Sequence, residues 1–199
     1  MKKKIFAVAA MLIGGLLIAS ITKADEPAFD KGSNTIGLGL GAGINYGYYN
    51  DGIAPSMSVY YDHGFFGDVG PGTIGIGGIL GYKSGRHDYP DGYYYKWSST
   101  FFAVRGTYHL TILKDKNNHF DPYAGVVLGV RINHYTDTYD DYYYSYYHTH
   151  YYAAQSSADP VRGVFVGAKY NFTDFFGVFV EAGSDLSIIT GGINFNFGK

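Results

Sequence analysis

The side chains with the most chemistry to offer are crowded into one stretch of the second half of the chain. His148 and His150 stand one residue apart, which on an extended backbone puts both imidazoles on the same side, and Asp137, Asp140 and Asp141 precede them. Imidazole beside carboxylate is zinc or copper chemistry. Two histidines without a fixed third ligand make a weak site, however, so no metal and no cofactor is expected. Around them lie Tyr139, Tyr142, Tyr143, Tyr144, Tyr146, Tyr147, Tyr151 and Tyr152, and a second group, Tyr89, Tyr93, Tyr94 and Tyr95, stands upstream. A ring with one hydroxyl gives rigid, amphipathic contact area at low entropic cost, so these tyrosines predict surface recognition of a glycan or a protein. The same rings also serve two structural uses, pairing across a raised hairpin and anchoring at lipid headgroups.

Nucleophilic chemistry has less to work with. His109 is remote from the other candidates, and no spacing among His134, Ser145 and Ser156 defines a triad. No enzyme is expected, a lipid-modifying activity at a membrane rim being the one catalytic alternative. Gly37, Gly39 and Ala42 brush against a dinucleotide fingerprint, which needs a glycine turn that opens onto a helix. Here glycine alternates with aliphatic residues instead.

That alternation organises the chain. From Ile36 the even positions are Ile36, Leu38, Leu40, Ala42 and Ile44, and the odd ones are Gly37, Gly39, Gly41, Gly43 and Asn45. A period of two describes a strand with one apolar and one small or polar face. Seven further segments repeat it, around Ser56–Asp62, Ile74–Lys83, Phe101–Leu110, Tyr123–Asn133, Gly163–Asn171, Phe176–Asp185 and Ile189–Phe197. Each is about ten residues long, the span a tilted strand needs to cross a bilayer. A soluble sandwich or lipocalin-like barrel would point its apolar residues inward and crowd its polar face with charge; here that face is mostly glycine and serine with a few large residues, which suits a cramped lumen. The outward aromatics also sort by height. Tyr61, Tyr108, Tyr170, Phe172, Phe176, Phe195 and Phe197 fall at one rim, and Tyr46, Tyr48 and Tyr82 at the other, as in the girdles of a membrane barrel. The fold expected is all-β, an eight-stranded antiparallel transmembrane β-barrel with up-and-down connections.

Short turns are expected at Phe66–Gly72, Lys114–Asn118 and Asn171–Asp174, and long connectors at about 84–96 and 135–160 on the opposite, extracellular side. The charges that point into the lumen are Lys83, Arg105, Arg131, Lys169, Glu181 and Asp185. A buried charge must be paired, so Glu181 with Arg105 or Lys169 is the expected salt bridge, either a structural plug or a gate over a narrow ion path.

The start of the chain predicts a secretory signal peptide over residues 1–24: Lys2, Lys3 and Lys4, then an apolar run, then Ala24 ahead of Asp25 and Glu26. A short periplasmic segment, 25–34, precedes the barrel, 35–199. The leader carries Lys2, Lys3, Lys4 and Lys23 and no acid, so without it the net charge falls from −2 by four, to −6. That excludes the basic stripe a nucleic-acid partner requires. With no cysteine, the exported protein uses neither disulfides nor a lipidated cysteine.

With Pro122–Gly129, Gly167–Asp174 and Val178–Gly183, the chain resembles the small outer-membrane β-barrels of Gram-negative bacteria, of the OmpA and OmpX type. The resemblance implies an outer-membrane location with the N-terminus in the periplasm, membrane lipid as a partner, and insertion by the barrel-assembly machinery. The aromatic strand Ile193–Phe197 is similar to that machinery's signal. It also implies surface interaction or an envelope-structural role, with a narrow porin-like channel as the alternative.

Overall fold

The structure is a computed structural model and describes residues 28–43, 54–88, 94–111, 119–137, 154–184 and 186–198. Its elements are β1 (Asn34–Gly43), β2 (Ala54–Val69), β3 (Gly72–Asp88), β4 (Tyr94–Leu110), β5 (Phe120–Asp137), β6 (Ala154–Asn171), β7 (Phe176–Gly183) and β8 (Ile189–Phe197). Every strand pairs antiparallel with its sequence neighbours, and β8 closes on β1, so the ring has no free edge. The register is staggered. A path of paired residues from Asn34 through His63, Ile76, Gly106 and Val126 arrives at Val164. From the other direction Ala42 reaches Val166 through Ile189 and Ala182. One lap therefore climbs about ten residues, the offset that tilts the strands of a closed barrel.

The faces fall as the alternation predicts. Leu40 is 72% exposed and Leu128 70%, with Val104, Val126, Val164 and Val166 close behind, while Tyr60, Phe101, Phe165 and Phe179 on the opposite face are buried. Such a coat of exposed aliphatic residues meets hydrocarbon rather than water. We call "lower" the rim where β1 begins and β8 ends. There Tyr170, Phe172, Phe176 and Phe195 form a chain of ring contacts with centroids 5.4 to 6.0 Å apart. Among the described residues no helix is long and apolar enough to cross a membrane; the strands are the elements that do.

Two expectations change. The segments of about ten residues hold for β1, β7 and β8, but β2 to β6 run to 16–18 residues. Residues 84–88, 94–96, 135–137 and 154–160, expected in connectors, are strand, because pairing continues from Lys83↔Ser99 up to Asp88↔Tyr94 and from Asn133↔Ser157 up to Thr136↔Ala154. The tyrosine and threonine of these stretches are residues that favour a paired ladder. The turn expected at Phe66–Gly72 shrinks to Gly70 and Pro71, with Gly70 in the left-handed region at φ 61°. Phe66 to Val69 belong to β2, which carries register shifts between Gly64 and Phe66 and between Phe66 and Val69. The turn after β6 is as expected: Phe172 N–H donates to Phe176 O at 2.9 Å and Thr173 Oγ1 accepts from Phe176 N–H at 3.0 Å. Lys114–Asn118 lies outside the described residues.

Inside, glycine makes room for the large residues. A side chain at Gly37 would run into the ring of Tyr60, and one at Gly81 into Leu186. Gly37→Leu is therefore expected to cost about 1–3 kcal/mol by overpacking, whereas Leu40→Ala on the lipid-exposed face leaves stability close to the parent. Urea unfolding of the two variants in lipid vesicles checks the contrast, and equal midpoints would contradict the filled lumen.

Candidate functional site

The lower lumen is built around Arg105 on β4, which is fully buried. Its Nε lies 3.0 Å from Asp62 Oδ1 on β2, and its Nη2 donates to Glu181 Oε1 on β7 at 2.7 Å. Tyr123 of β5 adds its hydroxyl to the same Glu181 oxygen at 2.8 Å. The guanidinium also lies 4.3 Å from the ring centre of Tyr60 and 4.5 Å from that of Phe165, so aromatic faces cover the sides the carboxylates leave open. One cation thus ties three strands that are not neighbours in the ring.

Beneath it sits a second group. His109 Nδ1 is 2.8 Å from Asp121 Oδ2, and its Nε2 is 3.0 Å from Thr107 Oγ1. Lys169 Nζ lies 3.9 Å from Asp121 Oδ2 and 4.0 Å from Asp62 Oδ2, between the two groups. The carboxylate–imidazole–hydroxyl order is that of a nucleophile relay. Here the buried ring of Phe29, from the segment that precedes β1, stacks on the imidazole at 3.8 Å and 17°.

Above the lower charges an apolar layer crosses the lumen. Ile79, Phe101, Val127, Val161, Phe165 and Phe179 pack as one buried cluster, and Leu186 from the β7–β8 connection joins it. Lys83 Nζ donates to the carbonyl of Leu186 at 3.1 Å, and Ser56 and Ser187 share a hydrogen bond, so this connection is held down over the barrel.

At the top, β3 to β6 outrun their neighbours. β2 pairs with β3 only as far as Lys83, and β7 meets β6 only from Phe165 downward. The upper parts of the four strands form a raised wall. Its lumen-side face carries Tyr95, Trp97 and Tyr135, with Tyr95 and Tyr135 stacked at 6.2 Å and the indole lying against Gly85. Below them Ser99 donates to Asn133 Oδ1 at 2.8 Å, and Asn133 Nδ2 donates to Asp159 Oδ2 at 2.6 Å. On the outer face Arg86 pairs with Asp88 at 2.7 Å and lies 4.3 Å from the ring centre of Tyr94.

The expected charge cluster is therefore two groups. Arg105, Lys169 and Glu181 belong to the lower one, and Glu181 bonds to Arg105 rather than to Lys169. Lys83 is in the upper lumen, where the inward-facing half of β5 also places Arg131. Asp62 and Asp121 complete the lower group and were missed as partners, although both lie on inward faces of the alternation. Phe29 carries no periodic signal at all. Among the surface tyrosines, Tyr94 and Tyr95 are in β4, and Tyr95 is buried on the lumen side instead of standing free in a loop. Asp185, Tyr89, Tyr93, Tyr139, Tyr142, Tyr143, Tyr144, Tyr146, Tyr147, Tyr151, Tyr152, His148 and His150 lie outside the described residues.

A closed ring of eight antiparallel strands, greased outside and polar within, is the architecture of the small barrels of Gram-negative outer membranes. Comparison with solved structures agrees. Ail, the attachment invasion locus protein of Yersinia pestis, superposes with a TM-score of 0.51 in its complex with the heparin analogue sucrose octasulfate, at 12% identity over 84% of this chain and 99% of that one. Ail in a second crystal structure gives 0.50 with the same identity and coverage. The N-terminal barrel domain of Pseudomonas aeruginosa OprF scores 0.47 at 15% identity over 85% of this chain and 100% of its own. No family model and no curated protein sequence matches the chain. At such identities the likeness to Ail concerns the fold.

Removing the central cation tests the lower group. Arg105→Met leaves Glu181 buried without its cationic partner and Asp62 with only the more distant Lys169, and is expected to cost about 3–5 kcal/mol. Adding Asp62→Asn and Glu181→Gln to the same chain should recover most of the loss. Unfolding midpoints in lipid vesicles decide the matter: an Arg105→Met barrel as stable as the parent would show that the ion group is idle.

Proposed function

We propose that this chain is an integral outer-membrane protein whose work is recognition at the cell surface, with the lower rim and N-terminus toward the periplasm and the raised wall outside. The observation that carries the reading is the four-stranded wall of β3 to β6 standing above the apolar belt, over a lumen filled by Phe101, Phe165, Phe179 and Leu186. A barrel with a packed interior has its useful surface at the ends of its strands. The wall supports the connector richest in tyrosine, residues 138–153, and its own Tyr95, Trp97 and Tyr135 brace it from within.

The chemistry of the partner follows from the connector between β5 and β6. Residues 138–153 contain Asp140 and Asp141 and no lysine or arginine. Ail was crystallised with a sulfated sugar analogue, but an acidic, aromatic connector favours ring stacking on a neutral glycan or on protein over attraction to a polyanion. The channel reading has less support, because an apolar layer across the lumen resists wetting by ions.

Replacing residues 138–152 by a short Gly-Ser turn is expected to leave the barrel folded, judged by its unheated gel mobility, and to abolish adhesion of expressing cells to host cells or glycan surfaces. Unchanged adhesion by a folded variant refutes the recognition role. In planar bilayers the parent is expected to give no steady conductance; a persistent open level would restore the channel reading.

A further inference from the structure

The segment Ala28–Ser33 is not part of the ring, yet the barrel is built to receive it. Asp30 and Ser33 close a tight turn, with Ser33 N–H donating to Asp30 O at 3.2 Å, Asp30 N–H donating to Ser33 Oγ at 3.0 Å, and Gly32 in the left-handed region at φ 90°. The turn hangs from one residue of β2: Gly32 N–H donates to Gly64 O and Gly64 N–H to Ser33 O, both at 2.8 Å. Position 64 must be glycine, because a side chain there would collide with the carbonyl of Asp30. The register shift after Gly64 breaks the β2–β3 ladder beside this contact, as a bulge does when it re-aims a strand.

All of this delivers one side chain. Phe29 enters the lower mouth and stacks on His109, whose ring also lies 5.0 Å and 24° from that of Tyr123. Lys169 Nζ is 5.0 Å from the centre of the Phe29 ring and has no hydrogen-bond partner of its own, although it is buried. An ammonium in that state is stabilised by an aromatic face. Gly75 on β3 borders the ring: a methyl group there would meet Thr107 Oγ1 first, and the edge of Phe29 at 3.3 Å. A mere filler would need bulk; this pocket offers a stacking plane and a cation.

We infer that the lower mouth of the barrel is a binding site for an aromatic ring, formed by His109, Lys169 and Gly75 and occupied in cis by Phe29. The strap that carries Phe29 is tied to the ring by few hydrogen bonds, so it leaves without opening the eight-stranded ladder. The site then takes the aromatic side chain of a peptide or an acylated aromatic amino acid from the solution below.

The chain has no cysteine, so a single Thr107→Cys, buried behind Phe29, reports whether the site is covered. In the purified full-length barrel, modification of this thiol by a water-soluble maleimide is expected to be slow. Adding Phe29→Ala, or Gly64→Ala to evict the strap, should speed it by about tenfold or more as the local cover is lost. N-acetylphenylalaninamide should then protect the thiol in the Phe29→Ala barrel, while its cyclohexyl analogue, of similar bulk but without a π face, should not. Equal protection by both compounds would reduce Phe29 to a hydrophobic filler and overturn the site. An unchanged labelling rate in both variants would overturn the strap as a cover. Should Phe29→Ala fail to show the folded gel mobility, Gly64→Ala, which displaces the strap and leaves the lumen side chains unchanged, takes its place with the same outcomes.

Discussion

Arg105 carries its charge in a space that shuts out water, and the lower half of the barrel is arranged around that fact. Burying an unpaired guanidinium is prohibitive, and burying a paired one is worthwhile only when geometry and hydrogen bonding are good. The strands meet the condition from several directions. Asp62 and Glu181 supply the counter-charge, Tyr123 holds Glu181 in place, and Tyr60 and Phe165 cover the faces of the cation. Because Asp62, Arg105 and Glu181 come from β2, β4 and β7, the group fixes the height of these strands relative to one another across the lumen. A backbone ladder fixes only neighbours; this group ties strands that never touch.

The same need to exclude water accounts for the rest of the interior. Eight strands enclose a space that side chains can fill, provided small and large residues alternate around it. Glycines at 37, 81 and 167 face Tyr60, Leu186 and Tyr123, so the lumen is a packed core turned outside in. Hydrocarbon takes the place of solvent on the outer face. Such a core needs lids, because a barrel closes its sides and leaves its ends open. Among the described residues, two irregular segments, one ahead of β1 with Phe29 and one in the β7–β8 connection with Leu186, place single apolar side chains at the ends.

How much of this was legible in the sequence divides along physical lines. Strand number and facing were readable because a period of two leaves little ambiguity when most outward residues of the membrane belt are aliphatic or aromatic. The inward charges were readable for the same reason, and Arg105–Glu181 was among the pairs expected. Their grouping was not, because it depends on stagger: Lys83 and Arg105 share an inward face, yet the tilt of the ring puts them in different layers. The raised wall was legible only as one alternative, a hairpin with tyrosines paired across it. Tyr94, Tyr95 and Tyr135 resemble loop residues when counted, but they continue a ladder when paired. Phe29 left no periodic trace, since a residue outside the strands is placed by a turn and a glycine contact rather than by alternation. Gly64 was the available clue, a glycine inside a strand where the backbone of another segment comes close.

The two ends of the barrel divide rigidity from exposure. Below, ring stacks, an asparagine network at Asn171, Asn194 and Asn196, and the ion group leave little freedom. Above, the wall is a single sheet with one face toward the lumen axis, braced by the aromatic group of Tyr95, Trp97 and Tyr135, by the Asn133 bonds and by Arg86 against Asp88 and Tyr94. A surface that must present large rings to a partner gains from a stiff support, since each ring immobilised beforehand loses less entropy on binding. The depth of the wall's roots in the barrel supplies that stiffness: β4 and β5 run unbroken from the layer of His109 and Asp121 to the layer of Tyr95 and Tyr135. The buried charges at one end and the aromatic connectors at the other are therefore parts of one mechanical unit, in which the lower lumen anchors the strands that carry the upper surface.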